Sequence, residues 1–396
     1  MDYQKEQIIK IAEYLHKDIW SLAAEIGSHP EEGYKEYYAT KVLVGFLRKH
    51  GFQVSCPLAG MDTAFKAGFQ GQQGGARVIY LAEYDALPEI GHGCGHNLIG
   101  AAGVGAAVVL SKMEDLAGEV VVIGSPAEET SGAKVTLTEA GLFDQASAAL
   151  MFHPGSCNVA EIASLALDAI EVVYHGKSAH MAVADSGGIN ALEALLDLFN
   201  RIEKLRRKLG RAERIDGIIV EGGKSPNIVP DKAVARFYLR AAKRERLNQI
   251  RQKFLECAYK AADKVHAKLE WRYYEFSYDE MVTNYHLAHT FRTNLRYLGI
   301  TDIEPAQTMV GSVDMGNVSQ VVPALHAYLR LGNGTEVPHT VEFAQAVLSE
   351  AGERVLATAV KALALTGWDV LTNSELRQKM HQEMLQKKRY ARSNFD

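Results

Sequence analysis

The stretch Ala76-Arg-Val-Ile-Tyr-Leu-Ala82 is almost entirely apolar and contains β-branched and aromatic residues, which predicts a buried strand. Outward from it, a segment of small residues over 98–112 predicts a helix, and further strands are predicted over 119–124 and 148–152. Strands that alternate with helices are typical of an α/β domain with a mostly parallel sheet. In such sheets, functional side chains gather at the carboxyl ends of the strands.

A different order of elements begins near residue 167. Strands are predicted over 169–174, 216–220, 233–239 and 268–276, and helices over 189–209 and 244–266. The resulting order, β-α-β-β-α-β, is that of a ferredoxin-like fold. The sequence therefore predicts an α/β domain built from residues 1–166 and 282–396, with an α+β domain inserted at 167–281. In the first domain, Gly71, Gly74 and Gly75 predict a hairpin turn.

Composition limits the classes of partner. The net charge of -5, from 43 basic and 48 acidic residues, lacks the basic footprint of a nucleic-acid-binding protein. No uninterrupted apolar run reaches about 18 residues, and the N-terminus does not resemble a secretory signal. The four cysteines are scattered rather than arranged as a disulfide framework, which fits a reducing cytosol. We therefore expect a cytoplasmic protein without nucleic-acid or membrane partners.

The segment Gly91-His-Gly-Cys-Gly-His-Asn97 concentrates potential metal ligands in a short, glycine-rich loop. His92, Cys94 and His96 fall within five residues, and the glycines allow the backbone to turn tightly. A thiolate and an imidazole two residues apart can face one ion, and both suit zinc or another borderline transition metal. The alternative is a glycine-rich turn around a buried thiol.

Further candidate donors lie near the ends of other strands. Glu128 and Glu129 follow the strand over 119–124, so that one carboxylate can bind a metal while its neighbour handles protons. His153 follows the strand over 148–152, and His339 lies in Val337-Pro-His-Thr340. Taken singly, an exposed acidic loop and two structural histidines are the more common interpretations. Four clusters that supply a thiol, imidazoles and carboxylates together predict a joint metal site.

At this point the motifs resemble a known family. Ala82-Glu-Tyr-Asp-Ala-Leu-Pro88, the loop over 91–97 and Pro126-Ala-Glu-Glu129 resemble the aminoacylase and carboxypeptidase-type metallopeptidases. The resemblance is nearer to the amidohydrolase branch, with its amino-acid-conjugate, aminobenzoyl-glutamate and β-alanyl-dipeptide hydrolases. It covers nearly the whole chain, because the family's order continues in His29-Pro-Glu-Glu-Gly33, Gly176-Lys-Ser-Ala-His180, Asn227-Ile-Val-Pro230 and Gly311-Ser-Val-Asp-Met-Gly-Asn-Val-Ser319.

The resemblance implies a role for each matching residue. Glu128 would be the general base, Asp85 a supporting residue beside the metals, and His180 a group that stabilises the oxyanion in a neighbouring active site. The inserted domain would be a lid that also forms a homodimer. Binding of substrate polar groups or a carboxylate is implied for Asn227, Arg240 and Ser312. Two divalent ions, zinc or manganese first and nickel or cobalt as alternatives, would be held by Cys94, His96, Glu129, His153 and His339.

The expected reaction is hydrolysis of the amide bond of an N-acyl amino acid, an aminobenzoyl-glutamate-like conjugate or a dipeptide. Two positions depart from the wider family: Asn97 stands where many relatives have Asp, and Glu83 stands where distant relatives have a ligating His. Two alternatives remain open. Cys94 could be the nucleophile of a thiol hydrolase, or the chain could be a metal- or ligand-binding relative without catalysis.

Overall fold

The computed structural model describes residues 2–180, 187–309 and 311–393. Backbone contacts divide the chain into two compact units. The first unit consists of Met1–Ala163, Met281–Met309 and Asn317–Asp396, and the second consists of Ser164–Glu280 and Val310–Gly316. The second unit is therefore inserted in the sequence of the first.

Helices and strands alternate along much of the chain. Those before the insertion are α1 (Asp2–Gly27), α2 (Tyr37–Lys49), β1 (Gln53–Ser55), β2 (Phe65–Gln70), β3 (Gln73–Ala82), α3 (His96–Ser111), β4 (Ala117–Gly124), α4 (Ala133–Glu139), β5 (Ala148–Gly155) and β6 (Ile162–Ala163). The second unit contains β7 (Ala166–His175), α5 (Ala191–Arg206), β8 (Arg214–Glu221), β9 (Lys232–Ala241), α6 (Arg244–Val265) and β10 (Lys268–Tyr273). After it come α7 (Tyr285–Tyr297), β11 (Gln307–Thr308), α8 (Met315–Val321), β12 (Ala324–Arg330), α9 (Val341–Ala346), α10 (Glu350–Thr372) and α11 (Ser374–Ser393).

The sheet of the first unit has the order β1-β2-β4-β3-β5-β12. Strands β4, β3, β5 and β12 run parallel, whereas β1 and β2 pair antiparallel at one edge. Every residue of β5 is buried, as expected for a parallel strand that is covered on both faces. Helix α3 is buried along its length, and a Cβ at Gly103 would lie 2.5 Å from the carbonyl oxygen of Leu81. Small residues therefore let α3 pack closely on β3.

The second unit has the predicted ferredoxin-like topology. Its four strands are antiparallel in the order β10-β7-β9-β8. Helices α5 and α6 cover one face of this sheet, where Leu195, Phe237 and Phe254 belong to one buried apolar cluster. Asn190 caps α5, since its side-chain oxygen accepts hydrogen bonds from the backbone N–H groups of residues 192 and 193. The predicted fold class, a mostly parallel α/β domain with an inserted α+β domain, is confirmed.

Two features of the first unit differ from what the sequence alone indicates. The predicted hairpin at Gly71, Gly74 and Gly75 is wrong, because β4 lies between β2 and β3 and pairs with both of them. Helix α10 is long and apolar enough to span a membrane by length and composition. However, 72% of its most apolar stretch is buried inside the protein. It packs against α1, α3 and α7, so it is a core helix.

Candidate metal centre

The loop before α3 positions a thiol and an imidazole on either side of one glycine. Gly95 has a φ of 78°, and a Cβ there would lie 2.5 Å from Cγ of Pro154. Only glycine fits this left-handed, crowded position. Cys94 precedes the turn and His96 begins the helix, and both side chains are buried.

A buried carboxylate positions the loop that carries Glu128 and Glu129. Ala127 has a φ of 56°, which is uncommon for a residue with a Cβ. Its N–H donates to Oε1 of Glu36 at 2.8 Å, while Oε2 of Glu36 accepts from Thr63 at 2.8 Å. Burial raises the pKa of Glu36. Sequence reasoning missed Glu36, because its partner lies 91 residues further along the chain.

Asp85 connects two predicted ligands. Its Oδ1 accepts a hydrogen bond from Nδ1 of His96 at 2.8 Å, and its Oδ2 accepts from the backbone N–H of Glu129 at 2.9 Å. A carboxylate only accepts, so Nδ1 of His96 carries a proton, and loss of the second proton on metal binding would leave the lone pair on Nε2. Nδ1 of His153 likewise donates to the carbonyl oxygen of Pro154 at 2.6 Å, which leaves its Nε2 available. Both imidazoles are thus oriented as ligands.

The predicted donors of the first unit converge. Cys94, His96 and His153 offer ligand atoms that lie within 4.8 Å of one another, as do Cys94, Glu129 and His339, and also His96, Glu128 and Glu129. Nε2 of His339 lies 3.1 Å from Sγ of Cys94 and 3.7 Å from Oε2 of Glu129. His339 has a φ of 68°, and strained backbone of this kind is found at functional sites. Cys94 belongs to the first two of these groups, so its sulfur lies between the imidazoles of His96 and His153 on one side and Glu129 with His339 on the other.

The electrostatics of this cluster favour a cation. Nε2 of His96 lies 3.9 Å from carboxylate oxygens of both Glu128 and Glu129. Burial alone would lower the pKa of His96, but Asp85 and the neighbouring acceptors raise it well above its usual value. Among the described residues, Nε2 of His96 and Oε1 of Glu129 are buried without a hydrogen-bond partner. A set of sulfur, nitrogen and oxygen donors with such orphaned atoms fits a divalent transition metal.

A second layer of charged groups lies behind His96. Nζ of Lys134 lies 2.5 Å from Oε1 of Glu83, and both side chains are almost completely buried. Oε2 of Glu83 is 3.6 Å from Nε2 of His96. His326 is buried nearby, with its ring centroid 5.8 Å from that of His153. Sequence reasoning left Glu83 without a role and missed Lys134 and His326. Lys134 lies in α4 and His326 in β12, and neither residue belongs to a motif that points to the metal site.

The other predicted site residues lie in the second unit. His180 is exposed and forms an isolated bridge with Ile228, directly beside Asn227. Oδ1 of Asn227 accepts a hydrogen bond from Ser225 at 2.5 Å. Arg240 lies on β9, 3.7 Å from the carboxylate of Asp216. Oγ of Ser312 is buried and, within the part of the chain that the structure describes, has no hydrogen-bond partner.

Comparisons with known proteins bear on this arrangement. Residues 166–266 match the model of a peptidase dimerisation domain. The chain is 35% identical to Xaa-Arg dipeptidase from Homo sapiens over 379 residues, which cover 90% of this chain and 86% of that protein.

Solved structures share the fold. The aminobenzoyl-glutamate utilization protein from Klebsiella pneumoniae has a TM-score of 0.73 at 18% identity, with coverage of 92% of this chain and 97% of that chain. A dinuclear metal-binding peptidase of the M20 family from Bacillus subtilis has a TM-score of 0.67 at 20% identity, with coverage of 91% and 100%. The identity to the human relative, together with the matched domain, shows the family. This chain belongs to the M20 family of metal-dependent peptidases and amidohydrolases.

Proposed function

We propose that the chain hydrolyses the amide bond of a small substrate with a free carboxylate, and that a dipeptide is the first choice. The observation that carries the proposal is the convergence of Cys94, His96, Glu129, His153 and His339 around two groups of ligand atoms, with Glu128 beside them. We propose zinc or manganese as the native ion, because both accept this mixture of donors. The dipeptide is preferred because the human relative is named as a dipeptidase.

In the proposed reaction, each group of this chain has one task. Cys94, His96, Glu129, His153 and His339 would hold the divalent ions, which would supply a water with a lowered pKa and a polarised scissile carbonyl. Glu128, whose side chain is 17% exposed, accepts the proton of the attacking water and then donates it to the leaving nitrogen. Asp85 holds His96 and the backbone of Glu129 in place throughout.

The second unit carries the residues that we propose for binding polar groups of the substrate. We propose that Arg240 binds the free carboxylate, because a guanidinium matches a carboxylate in charge and geometry. Asn227 and Ser312 offer an amide and a hydroxyl for other polar groups. His180 would stabilise the oxyanion of a neighbouring active site in a dimer.

The thiol-hydrolase alternative is poorly supported by the surroundings of Cys94. Burial raises the pKa of its thiol to about 12, so without a metal it carries almost no nucleophilic thiolate at neutral pH. A relative without catalysis would not need Glu128 in addition to the ligands. One experiment distinguishes the thiol hydrolase and the relative without catalysis from the metal-dependent hydrolase.

The experiment compares substrates before and after removal of the metal. We expect the purified chain to hydrolyse dipeptides, to lose this activity on dialysis against a chelator, and to recover it with zinc or manganese. Activity that survives complete removal of the metal would support the thiol hydrolase. Failure to hydrolyse any dipeptide, N-acyl amino acid or aminobenzoyl-glutamate at full metal occupancy would contradict the proposed function.

We also propose a homodimer in which two copies meet at strand β8. This strand is at the edge of its sheet, and its side chains Ile218, Ile219 and Val220 are 65%, 46% and 50% exposed. An exposed apolar edge strand is a template for pairing with another chain. The variant Ile218→Lys/Val220→Lys should therefore halve the mass in sedimentation equilibrium. Tyr14→Lys, at an exposed tyrosine of α1, should leave the mass unchanged; a monomeric wild type would contradict the proposal.

A further inference from the structure

The backbone on either side of Glu128 is held by two buried carboxylates. The N–H of Ala127 donates to Oε1 of Glu36 at 2.8 Å, and the N–H of Glu129 donates to Oδ2 of Asp85 at 2.9 Å. Glu36 is 0% exposed and Asp85 is 1% exposed, so both hydrogen bonds are shielded from bulk water. The general base of the proposed reaction therefore lies between two fixed peptide groups.

Ala127 has a backbone conformation that needs support. Its φ of 56° lies in the left-handed region, which is unfavourable for a residue with a Cβ. Its carbonyl oxygen accepts from the N–H groups of Ser131 at 3.1 Å and Gly132 at 2.8 Å, while its own N–H is bound by Glu36. Because Ala127 directly precedes Glu128, this conformation sets the direction in which the base leaves the backbone.

Glu36 is available for this contact because another glutamate caps the adjacent helix. Glu36 directly precedes α2, where an acidic side chain can accept from the first N–H groups of the helix. Among the described residues of α2, none donates to the Glu36 carboxylate. Glu31 accepts instead from the N–H of Tyr38, at 3.0 Å and 2.9 Å, and from the N–H of Ala39 at 3.0 Å. Glu31 therefore stabilises the helix, and Glu36 binds the loop before Glu128.

The second oxygen of Glu36 is anchored in the core of the first unit. Oε2 of Glu36 accepts from Oγ1 of Thr63 at 2.8 Å, and the carbonyl oxygen of Thr63 accepts from the phenol of Tyr84 at 2.6 Å. Tyr84 directly precedes Asp85 in the sequence. The two carboxylates that flank Glu128 are thus connected through one buried chain of contacts, which makes both of them rigid supports.

We propose that Glu36 is a positioning residue for the general base: through the N–H of Ala127 it fixes the backbone that carries Glu128, without itself contacting the substrate or the ions. The inference rests on the proposed function and adds a residue that acts through Glu128. A general base must lie within hydrogen-bond reach of the water that it deprotonates. A displacement of about 1 Å can lower the rate by about 100-fold.

The contact requires an acceptor at position 36 rather than a negative charge. Glutamine keeps an oxygen that can accept from the N–H of Ala127, whereas methionine has a similar length and lacks such an oxygen. The two substitutions therefore separate the hydrogen bond from the space that the side chain fills. We expect Glu36→Gln to resemble the wild type and Glu36→Met to misplace Glu128.

The test is a double-mutant cycle on the metal-loaded full-length chain, with the fastest substrate of the panel that tests the proposed function. Glu36→Met should lower kcat by about 10- to 100-fold, with little change in KM or in metal content. Glu36→Gln should retain kcat within about fivefold, because a neutral amide still accepts. In the Glu128→Gln background, Glu36→Met should lower the remaining kcat by less than about twofold, because no base is then left to misplace.

A role of Glu36 in folding alone would give a different result. Loss of folded enzyme lowers kcat by the same factor in both backgrounds, so equal losses would overturn the proposal, as would a wild-type kcat in Glu36→Met. Glu383→Met is the matched control, since Glu383 also binds N–H groups of a distant segment, those of Tyr285 at 2.8 Å and His286 at 3.3 Å. It should leave kcat within about twofold of the wild type.

Crystals of metal-loaded Glu36→Met give an answer that does not depend on activity. We expect Ala127 to leave the left-handed region and the carboxylate of Glu128 to move by more than about 1 Å, while Cys94 and His96 keep their positions. If Ala127 and Glu128 keep their wild-type conformations, the role of Glu36 is overturned whatever the substrate. If the wild type hydrolyses no substrate of the panel, the proposed function fails, and this structure still decides whether Glu36 positions Glu128.

Discussion

Glu128→Gln should lower kcat by about 10²- to 10⁴-fold while the chain keeps its metal ions, because a general base typically contributes a factor of that size. The substitution keeps the shape of the side chain but removes its ability to accept a proton. The groups Cys94–His96–His153 and Cys94–Glu129–His339 do not contain Glu128, which lies in a third group with His96 and Glu129, and we assign it to the proton transfer rather than to the metal. The loss should therefore affect the reaction rather than the binding of the ions.

The measurement pairs steady-state kinetics with elemental analysis of the same sample. Glu375→Gln is the control, since Glu375 is an exposed residue of α11 that pairs with Lys379. It should match the wild type in both kcat and metal content. A Glu128→Gln variant that retains more than about a tenth of the wild-type kcat would remove Glu128 from the role of base.

Lys134→Met should lower the free energy of unfolding by about 3–5 kcal/mol, which is the typical cost of removing one partner of a buried ion pair. The side chain of Lys134 is 0% exposed and that of Glu83 is 2% exposed. Burial would raise the pKa of Glu83, but the lysine beside it holds that pKa below the usual range. Without the lysine, the carboxylate would have to be buried unpaired or take up a proton.

Urea unfolding of the metal-free chain measures this effect. The control Lys361→Met removes a surface pair with Glu13 and should cost about 0–1 kcal/mol. The double variant Glu83→Gln/Lys134→Met should recover most of the stability, because both charges are then absent. If Lys134→Met were as stable as Lys361→Met, the buried pair would not contribute as described.

The parts of this protein that could be predicted from sequence are those with local signals. Apolar runs at β3, β4 and β5 indicated the strands, and the order of elements over 167–276 indicated the inserted fold. The candidate donors follow or lie near the ends of parallel strands, which suggested a joint metal site, and the family resemblance implied the full ligand set. Strands β3, β4, β5 and β12 are neighbours, so residues far apart in sequence meet at one edge of the sheet.

Prediction failed where the deciding contact is distant in sequence. The glycines near residue 71 suggested a hairpin, but the local pattern cannot show that β4 enters between the two strands. Glu36 supports the loop at Ala127 through a hydrogen bond that spans 91 residues. Lys134 lies in a short helix beside apolar residues, and its ion pair with the buried carboxylate of Glu83 is not visible in the local sequence.

The candidate metal centre of the first unit therefore has two layers. The donor atoms around Cys94 form the inner layer, and Asp85, Glu36 and the pair of Glu83 with Lys134 hold that layer in place. Carboxylates and histidines behind a metal site commonly orient the ligands and tune their basicity. The positions of His96 and of Glu129 thus depend on Asp85, and the loop that carries Glu128 and Glu129 also depends on Glu36, which the sequence motifs do not identify.

Two divalent ions are expected to share the Cys94 sulfur, and anomalous diffraction from crystals of the zinc-loaded chain tests this most directly. We predict two anomalous peaks, each about 2.3 Å from Sγ of Cys94. One peak should also be bonded to His96 and His153, and the other to Glu129 and His339. Peaks that lie only elsewhere in the molecule, with Cys94 and His339 bonded to no ion, would contradict a two-metal centre at this site.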